Sequence, residues 1–305
     1  MVDWEYPHRR RAVTPQPRRY IALLLDVMNR QRRWLAVTAL ACAVVLAAFD
    51  AHAQMRGLHS AVDCGGNSAT PSKVARVTDG RSFFLADGRE VRLASIETPL
   101  LMPGDEDEAR VAAALAAKTA LEALVLDREV ALRIPGASPD RYGRLIAYVF
   151  IRTPSGDRLA QHELLATGQA LVSPTPMATG CRTYLRDAER DARTGRLGLW
   201  GDPYYVVKQA DTTADVLAEQ GRFALVEGKV ASVRESGGIV YLNFGRRWSE
   251  DFTVTILKRN ERIFAGAGVT PKALAGRHVE VRRWIEERGG PAIEAVRPEQ
   301  IEIVN

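Results

Sequence analysis

The chain has 305 residues, 46% of them apolar and 26% charged, an ordinary globular composition with room for two modest domains. Its formal net charge of +5 is unevenly placed: residues 1–53 hold eight Arg against four Asp and Glu, leaving 34 basic and 33 acidic side chains over residues 54–305. Bulk charge is therefore excluded as an argument that the folded part has a polyanionic partner.

Arg30, Arg32 and Arg33 precede an apolar run from Trp34 to Ala48, and Asp50-Ala51-His52-Ala53-Gln54 follows. A charged flank, an apolar core and an Ala-x-Ala site in that order predict an export signal, cleaved before Gln54, and a periplasmic or secreted protein. The run is short against the roughly 20 apolar residues that span a bilayer, and an uncleaved membrane anchor over 34–53 is the alternative. Translation from Met28 would give the signal ordinary length. The residues around Arg32-Arg33 do not support a twin-arginine signal, nor does Ala39-Leu40-Ala41 support lipidation of Cys42. Cleavage removes Cys42 and leaves Cys64 and Cys181. In an exported chain these predict one disulfide, with two buried thiols as the alternative.

Residues 54–72, rich in Gly, Asn, Ser and Thr, read as a loose lead-in to a first domain over 73–202. Val74 to Val77, Ser82 to Leu85 and Glu90 to Ser95 read as short strands, joined by turns at Asp79-Gly80 and Asp87-Gly88. Asp105-Glu106-Asp107-Glu108 then leads into an Ala- and Leu-rich helix over 109–126, acids at its start suiting the helix dipole. Strands are expected at 129–134 and 145–151. Helices are expected at 159–167, closed by Gly168, and at 182–194, stopped by Gly195. Residues 203–221 read as a linker with a short polar helix. A second β domain, 222–305, offers strands at 223–233, 239–244, 252–257, 278–285 and 292–296, with turns at Gly237-Gly238 and Gly289-Gly290. The stretch from Leu274 to Glu287 resembles a strand common in OB-folds, although Arg283 stands where a Gly is usual. No internal sequence repeat links the two domains.

Two segments name a chemistry. Residues 91–99 read Val-Arg-Leu-Ala-Ser-Ile-Glu-Thr-Pro and residues 140–144 read Asp-Arg-Tyr-Gly-Arg. Together with Leu197-Gly-Leu-Trp200 they resemble the staphylococcal nuclease (thermonuclease) family over about residues 73–202. The resemblance implies a mainly β protein with helices (α+β): a five-stranded OB-type barrel carrying three helices, followed here by a second OB-like barrel. It also implies action on nucleic-acid phosphodiesters, DNA or RNA.

By that resemblance Arg92 and Arg144 are the two catalytic arginines, and guanidinium forks suit a phosphate. Tyr142 and Gly143 shape the turn that aims Arg144; by the resemblance Tyr142 flanks a nucleotide, with a packing role as the alternative. The family's Ca²⁺ site is altered. Its Asp-Gly-Asp-Thr turn is Asp79-Gly80-Arg81-Ser82 here, so a cation stands where a metal carboxylate belongs, and Arg81 becomes a candidate substrate contact. Glu97 and the Thr98 carbonyl keep two metal-ligand positions. Leu100 replaces the glutamate that activates water, and a lost general base costs about 10²–10⁴ in rate. Weak or altered catalysis is therefore expected, with non-catalytic binding of nucleic acid or another polyanion, or an envelope interaction role, as alternatives. A carboxylate from Asp105, Glu106 or Asp107 is the conceivable substitute base, helix capping being the plainer role. His162, alone in a helix, reads as a surface residue. In the second domain Tyr241, Phe244, Phe252 and Trp284 divide between core and surface. Trp248, flanked by Arg246 and Arg247, is the surface candidate for stacking on a base. The sequence suggests no protein partner, and membrane contact only through the N-terminal segment.

Overall fold

A computed structural model describes residues 62–136, 139–201, 207–247 and 249–304. The signal segment, Cys42, the first residues of the lead-in and Trp248 lie outside the described residues. No helix among the described residues is long and apolar enough to cross a membrane.

Strands β1 (Asn67–Asp79), β2 (Ser82–Leu85) and β3 (Glu90–Leu93) form an antiparallel meander. Val74, Phe83, Leu85, Val91 and Leu93 are turned to the core, as their alternation requires. A short β4 (Ile96–Glu97) follows, then helix α1 (Glu108–Val125), β5 (Glu129–Ile134) and β6 (Leu145–Thr153). Antiparallel pairing of β1 with β5 and β5 with β6, and parallel pairing of β3 with β6, closes a five-stranded barrel. Asp107 caps α1, its Oδ1 accepting the Ala109 N–H at 2.9 Å. Ala114, Ala117, Leu121 and Val125 form the buried face of α1. Gly80 allows that helix to approach, since a Cβ there would meet the Ala117 Cβ at 2.6 Å.

The lead-in is shorter than expected. β1 begins at Asn67, not after Ser72, because Asn67, Ser68 and Ala69 pair with Ile134, Arg133 and Leu132. The register shifts between Ala69 and Ser72, around Pro71, which has no N–H to give to the ladder. That bulge hid the strand from its sequence pattern.

Strand β7 (Gly156–Leu159) extends the sheet beside β6, and α2 (Ala160–Ala166) and α3 (Thr179–Thr194) pack on the barrel. Between them β8 (Leu171–Val172) pairs with β4. Cys64 and Cys181 form a disulfide, Cα atoms 4.8 Å apart, joining the start of the described chain to the first turn of α3.

The second part contains β9 (Lys208–Gln209), α4 (Thr213–Leu217), β10 (Phe223–Lys229), β11 (Ser232–Ser236), β12 (Ile239–Asn243) and β13 (Thr253–Leu257). Then come α5 (Glu261–Gly266), β14 (His278–Trp284), β15 (Glu286–Arg288), β16 (Gly290–Glu294) and β17 (Ile301–Ile303). The single strand expected over 223–233 is two. At Val230-Ala231 the chain turns a corner: Val230 donates to the Arg277 carbonyl and Ala231 to that of Asn243, so pairing passes from β14 to β12. Helix α5 was not expected.

The two parts share one topology. In each, strand one pairs with strands two and four, strand three runs parallel to strand five, and a helix links strands three and four. The parallel pairs are β3–β6 and β13–β16. The linking helices are α1 and α5.

Residues 61–305 form one compact unit. Each barrel has its own core, and a third apolar cluster of Leu171, Ala192, Leu199, Trp200 and Leu225 joins them. Beside it lies a buried ionic network. From β14, Arg282 Nη1 donates to Glu189 Oε2 on α3 at 2.8 Å and to the Val172 carbonyl at 3.1 Å. Its Nη2 donates to Glu280, which also accepts from Arg193 at 2.7 Å. Burial works against the Glu280 carboxylate, but Arg282 and Arg193 hold its pKa below the ordinary glutamate range.

Candidate functional site

Three arginines reach one region from three separate elements of the first barrel. Arg81 comes from the β1–β2 turn, which Asp79 braces by accepting the Arg81 N–H at 2.8 Å. Arg92 points off β3 between the buried Val91 and Leu93. Arg144 ends the turn that starts at Asp140, where Gly143 has a φ of +81°.

Glu97, on β4, is the hub. Its Oε1 accepts from Arg92 Nη2 at 2.8 Å, and its Oε2 contacts Arg81 Nη1 directly. Glu97 and Arg81 are both 6% exposed. Asp140 does for Arg144 what Glu97 does for Arg92. Its Oδ1 accepts the N–H groups of Tyr142 and Arg144 at 2.9 and 3.0 Å, and its Oδ2 accepts Arg144 Nε and Nη2 at 3.0 and 2.8 Å. Against a desolvation penalty, these bonds hold the Asp140 carboxyl below the usual aspartate range.

The guanidiniums feel one another. Burial first, then Arg144, lowers the Arg92 pKa, with Asp79 and Asp140 opposing. Burial and then Arg92 lower the Arg81 pKa to about 9, Asp79 opposing and Arg144 adding to the shift. A value near 9 still leaves Arg81 a cation at neutral pH. The side chains of Arg92 and Arg144 are 23% and 20% exposed, while that of Arg81 is 8% exposed. Arg81 is thus the buried counter-ion of Glu97, and Arg92 and Arg144 face outward, each braced by a carboxylate. Such a brace fixes a guanidinium fork before a phosphate arrives.

Tyr142 is exposed at the rim. The Arg144 and Arg141 guanidiniums lie 4.9 and 4.7 Å from its ring centroid, and Arg141 donates to its hydroxyl at 2.6 Å. Thr98 is buried beside Glu97.

These residues do not fit Ca²⁺. A hard cation takes 6–8 oxygen ligands. Both Glu97 oxygens are held by guanidiniums, and one Asp79 oxygen is held by the Arg81 N–H. Among the described residues no group of three or more His, Cys, Asp or Glu is placed to hold a metal ion.

Leu100 lines a pocket of about 100 Å³ between the two barrels, with Thr98 and Leu171 from the first and Phe223, Leu225 and Trp284 from the second. Asp105 pairs with Arg222 from the second barrel and accepts the Met102 N–H at 2.8 Å, and Asp107 caps α1. Glu106 is exposed. His162 stacks on Tyr184, ring centroids 4.1 Å apart. Of the second-barrel aromatics, Phe252 is buried and packs on Phe244, while Trp284 is 38% exposed.

Sequence reasoning missed the bracing role of Asp140, although it opens the Asp-Arg-Tyr-Gly-Arg segment. It also missed Ser95, which has a φ of +63° just before β4. The Ser95 hydroxyl bonds to those of Tyr148 and Thr175, at 2.8 Å each. A strained residue locked in this way fixes the entry to Glu97.

Residues 90–202 match the family model described as Staphylococcal nuclease homologue. Arg92, Glu97, Thr98, Leu100, Tyr142 and Arg144 fall inside the match, and Arg81 precedes it. The chain is also similar to "Protein ParB" of Escherichia coli, 28% identical over 187 residues that span 59% of this chain and 91% of that protein. The match and the closed barrel with its helices agree: over residues 90–202 the chain is similar to a staphylococcal nuclease homologue domain.

Proposed function

We propose that the protein binds nucleic-acid phosphodiesters through Arg92 and Arg144 without a metal ion, and that it cleaves them weakly or not at all. One observation carries this reading: Arg81 occupies Glu97, the carboxylate on which a metal would depend, while two braced arginines stay accessible. Leu100 adds that no base stands after Pro99. We further propose that the chain is exported and that 73–202 and 222–305 act as its two domains. The disulfide between Cys64 and Cys181 suits an oxidising compartment.

The test is anisotropy of a labelled single-stranded oligonucleotide with purified mature protein in chelator, across a salt series. Binding should persist without divalent ions and weaken as salt rises. Arg144→Gln should lower affinity about tenfold, equivalent to about 1.4 kcal/mol. It should also reduce the log–log salt slope by about 0.7, the loss of one single-strand phosphate contact. Binding that chelator abolishes, or an Arg144→Gln protein with unchanged affinity and slope, refutes the binding site. Efficient Ca²⁺-dependent cleavage by the wild type refutes the catalytic part. N-terminal sequencing of protein recovered outside the cytoplasm tests export, with Gln54 as the expected first residue.

A further inference from the structure

The pocket between the barrels adjoins the arginine site and is built from both halves of the molecule. Glu97 and Thr98 form part of its wall, and Glu97 is the residue that Arg81 and Arg92 contact. The pocket and the arginine cluster therefore share one partition. Leu100 and Leu171 make an apolar side from the first barrel. Phe223 and Trp284 face them from the second barrel, directly paired across β10 and β14, their rings edge to face at 6.3 Å.

Three properties limit what fits. The volume, about 100 Å³, is below the ~300–1,000 Å³ of pockets that hold whole small ligands. It suits one ring system and excludes a nucleotide or a peptide segment. Leu100, Leu171, Leu199, Phe223 and Trp284 give it an apolar and aromatic side, which suits a flat π-face. Arg110, Lys208 and Arg222, paired with Glu219 and Asp105, line the rest. The adjoining guanidiniums call for a ring attached to a phosphate.

We propose that this pocket takes one unpaired nucleobase of a strand whose phosphate rests on Arg92 and Arg144. The proposal rests on the phosphodiester reading above and adds a base subsite that neither barrel forms alone. A base inside a duplex is stacked on both faces and must leave the stack to enter such a site. Leu100 then has a positive role, as the apolar wall against which the ring lies.

The experiment compares a short oligothymidylate with the same sugar-phosphate backbone carrying abasic residues, in chelator, on wild type and two variants. Wild type should bind the base-bearing strand about 5- to 150-fold more tightly, the range that base–aromatic stacking supplies. Trp284→Ala removes the stacking partner, and Leu100→Trp fills the pocket from the opposite wall. Both should abolish the preference while leaving abasic affinity unchanged. Arg144→Gln should weaken both ligands alike. Equal binding of the two ligands by wild type overturns the base site. So does a preference that survives both substitutions, or a parallel loss of both affinities in the two variants. Wild type that binds neither backbone overturns the arginine-site reading itself, and the base site with it.

Discussion

Arg81→Met should destabilise the protein by about 3 kcal/mol, the lower end of the ~3–5 kcal/mol that follows from stripping one partner off a buried ion pair. The lower end applies because Glu97 keeps Arg92 at 2.8 Å. Methionine roughly matches the aliphatic stem of arginine, so packing loss is a minor part of the cost. Glu97, 6% exposed, is left with a carboxylate oxygen that water cannot readily reach. For a chain of this size each kcal/mol moves Tm by about 2–4 °C, so a fall of about 6–12 °C is expected. Adding Glu97→Gln to Arg81→Met should recover at least half of the loss, since it removes the stranded charge. Urea unfolding of the two single variants and the double variant gives the coupling directly. A loss below about 1 kcal/mol, the value of an exposed pair, would refute the claim that Arg81 is the buried counter-ion of Glu97. A rise in wild-type Tm with millimolar Ca²⁺ would refute the claim that this counter-ion leaves the metal no place.

Glu280→Gln should cost about 3–5 kcal/mol, because Arg282 and Arg193 keep their charges at the join between the barrels. The Glu280 pKa is depressed on folding, so its stabilisation is complete above the ordinary glutamate range and is lost as pH falls through the folded value. The wild-type midpoint should therefore fall on acidification more steeply than that of Glu280→Gln, as thermal melts across acid pH will show. Removal of the Cys64–Cys181 bridge, which closes a separation of 117 residues, should lower stability by up to about 4–5 kcal/mol. An unchanged denaturant midpoint in the Cys64→Ala/Cys181→Ala protein would contradict this. Arg81→Asp with Leu100→Glu should be stabilised by Ca²⁺, by about 2.7 kcal/mol at one hundred times the dissociation constant, seen as a rise in Tm. It should gain more Ca²⁺-dependent cleavage than either single change, and a double variant indifferent to Ca²⁺ would count against the assignment of those two positions.

The first barrel was legible because its strands alternate and its turns carry Asp-Gly and Gly in fixed places. Arg92 and Arg144 stand out in the sequence because each sits in a motif of several residues, and the structure brings their guanidiniums close enough to perturb one another. The contacts that give the site its character were not. Arg81 meets Glu97 only because the β1–β2 turn and β4 converge at one end of the barrel, and Asp105 meets Arg222 from 117 residues away. Strands β4, β8 and β9 have two residues each, too few for any period to register. The repeated topology was invisible for another reason. Pairing order depends on where apolar residues alternate and where the chain turns, and Phe83, Val91 and Leu93 serve one barrel as Val240, Val254 and Ile256 serve the other.

The departures at 81 and 100 make physical sense together. With Arg81 in place, Glu97 is neutralised from within, so the region keeps its fold without any added cation. With Leu100 in place, the loop after Glu97 and Thr98 lines one side of the pocket that Phe223, Leu225 and Trp284 line from the second barrel. A glutamate at position 100 would enter a pocket where loss of hydration disfavours its ionised form, while the Arg110, Lys208 and Arg222 side chains in the same lining favour it. Arg222 on Asp105 and Arg282 on Glu189 hold the join shut from two directions. Position 100 thus lies where the second barrel meets the first, so the proposed loss of water activation and the proposed base site turn on one residue.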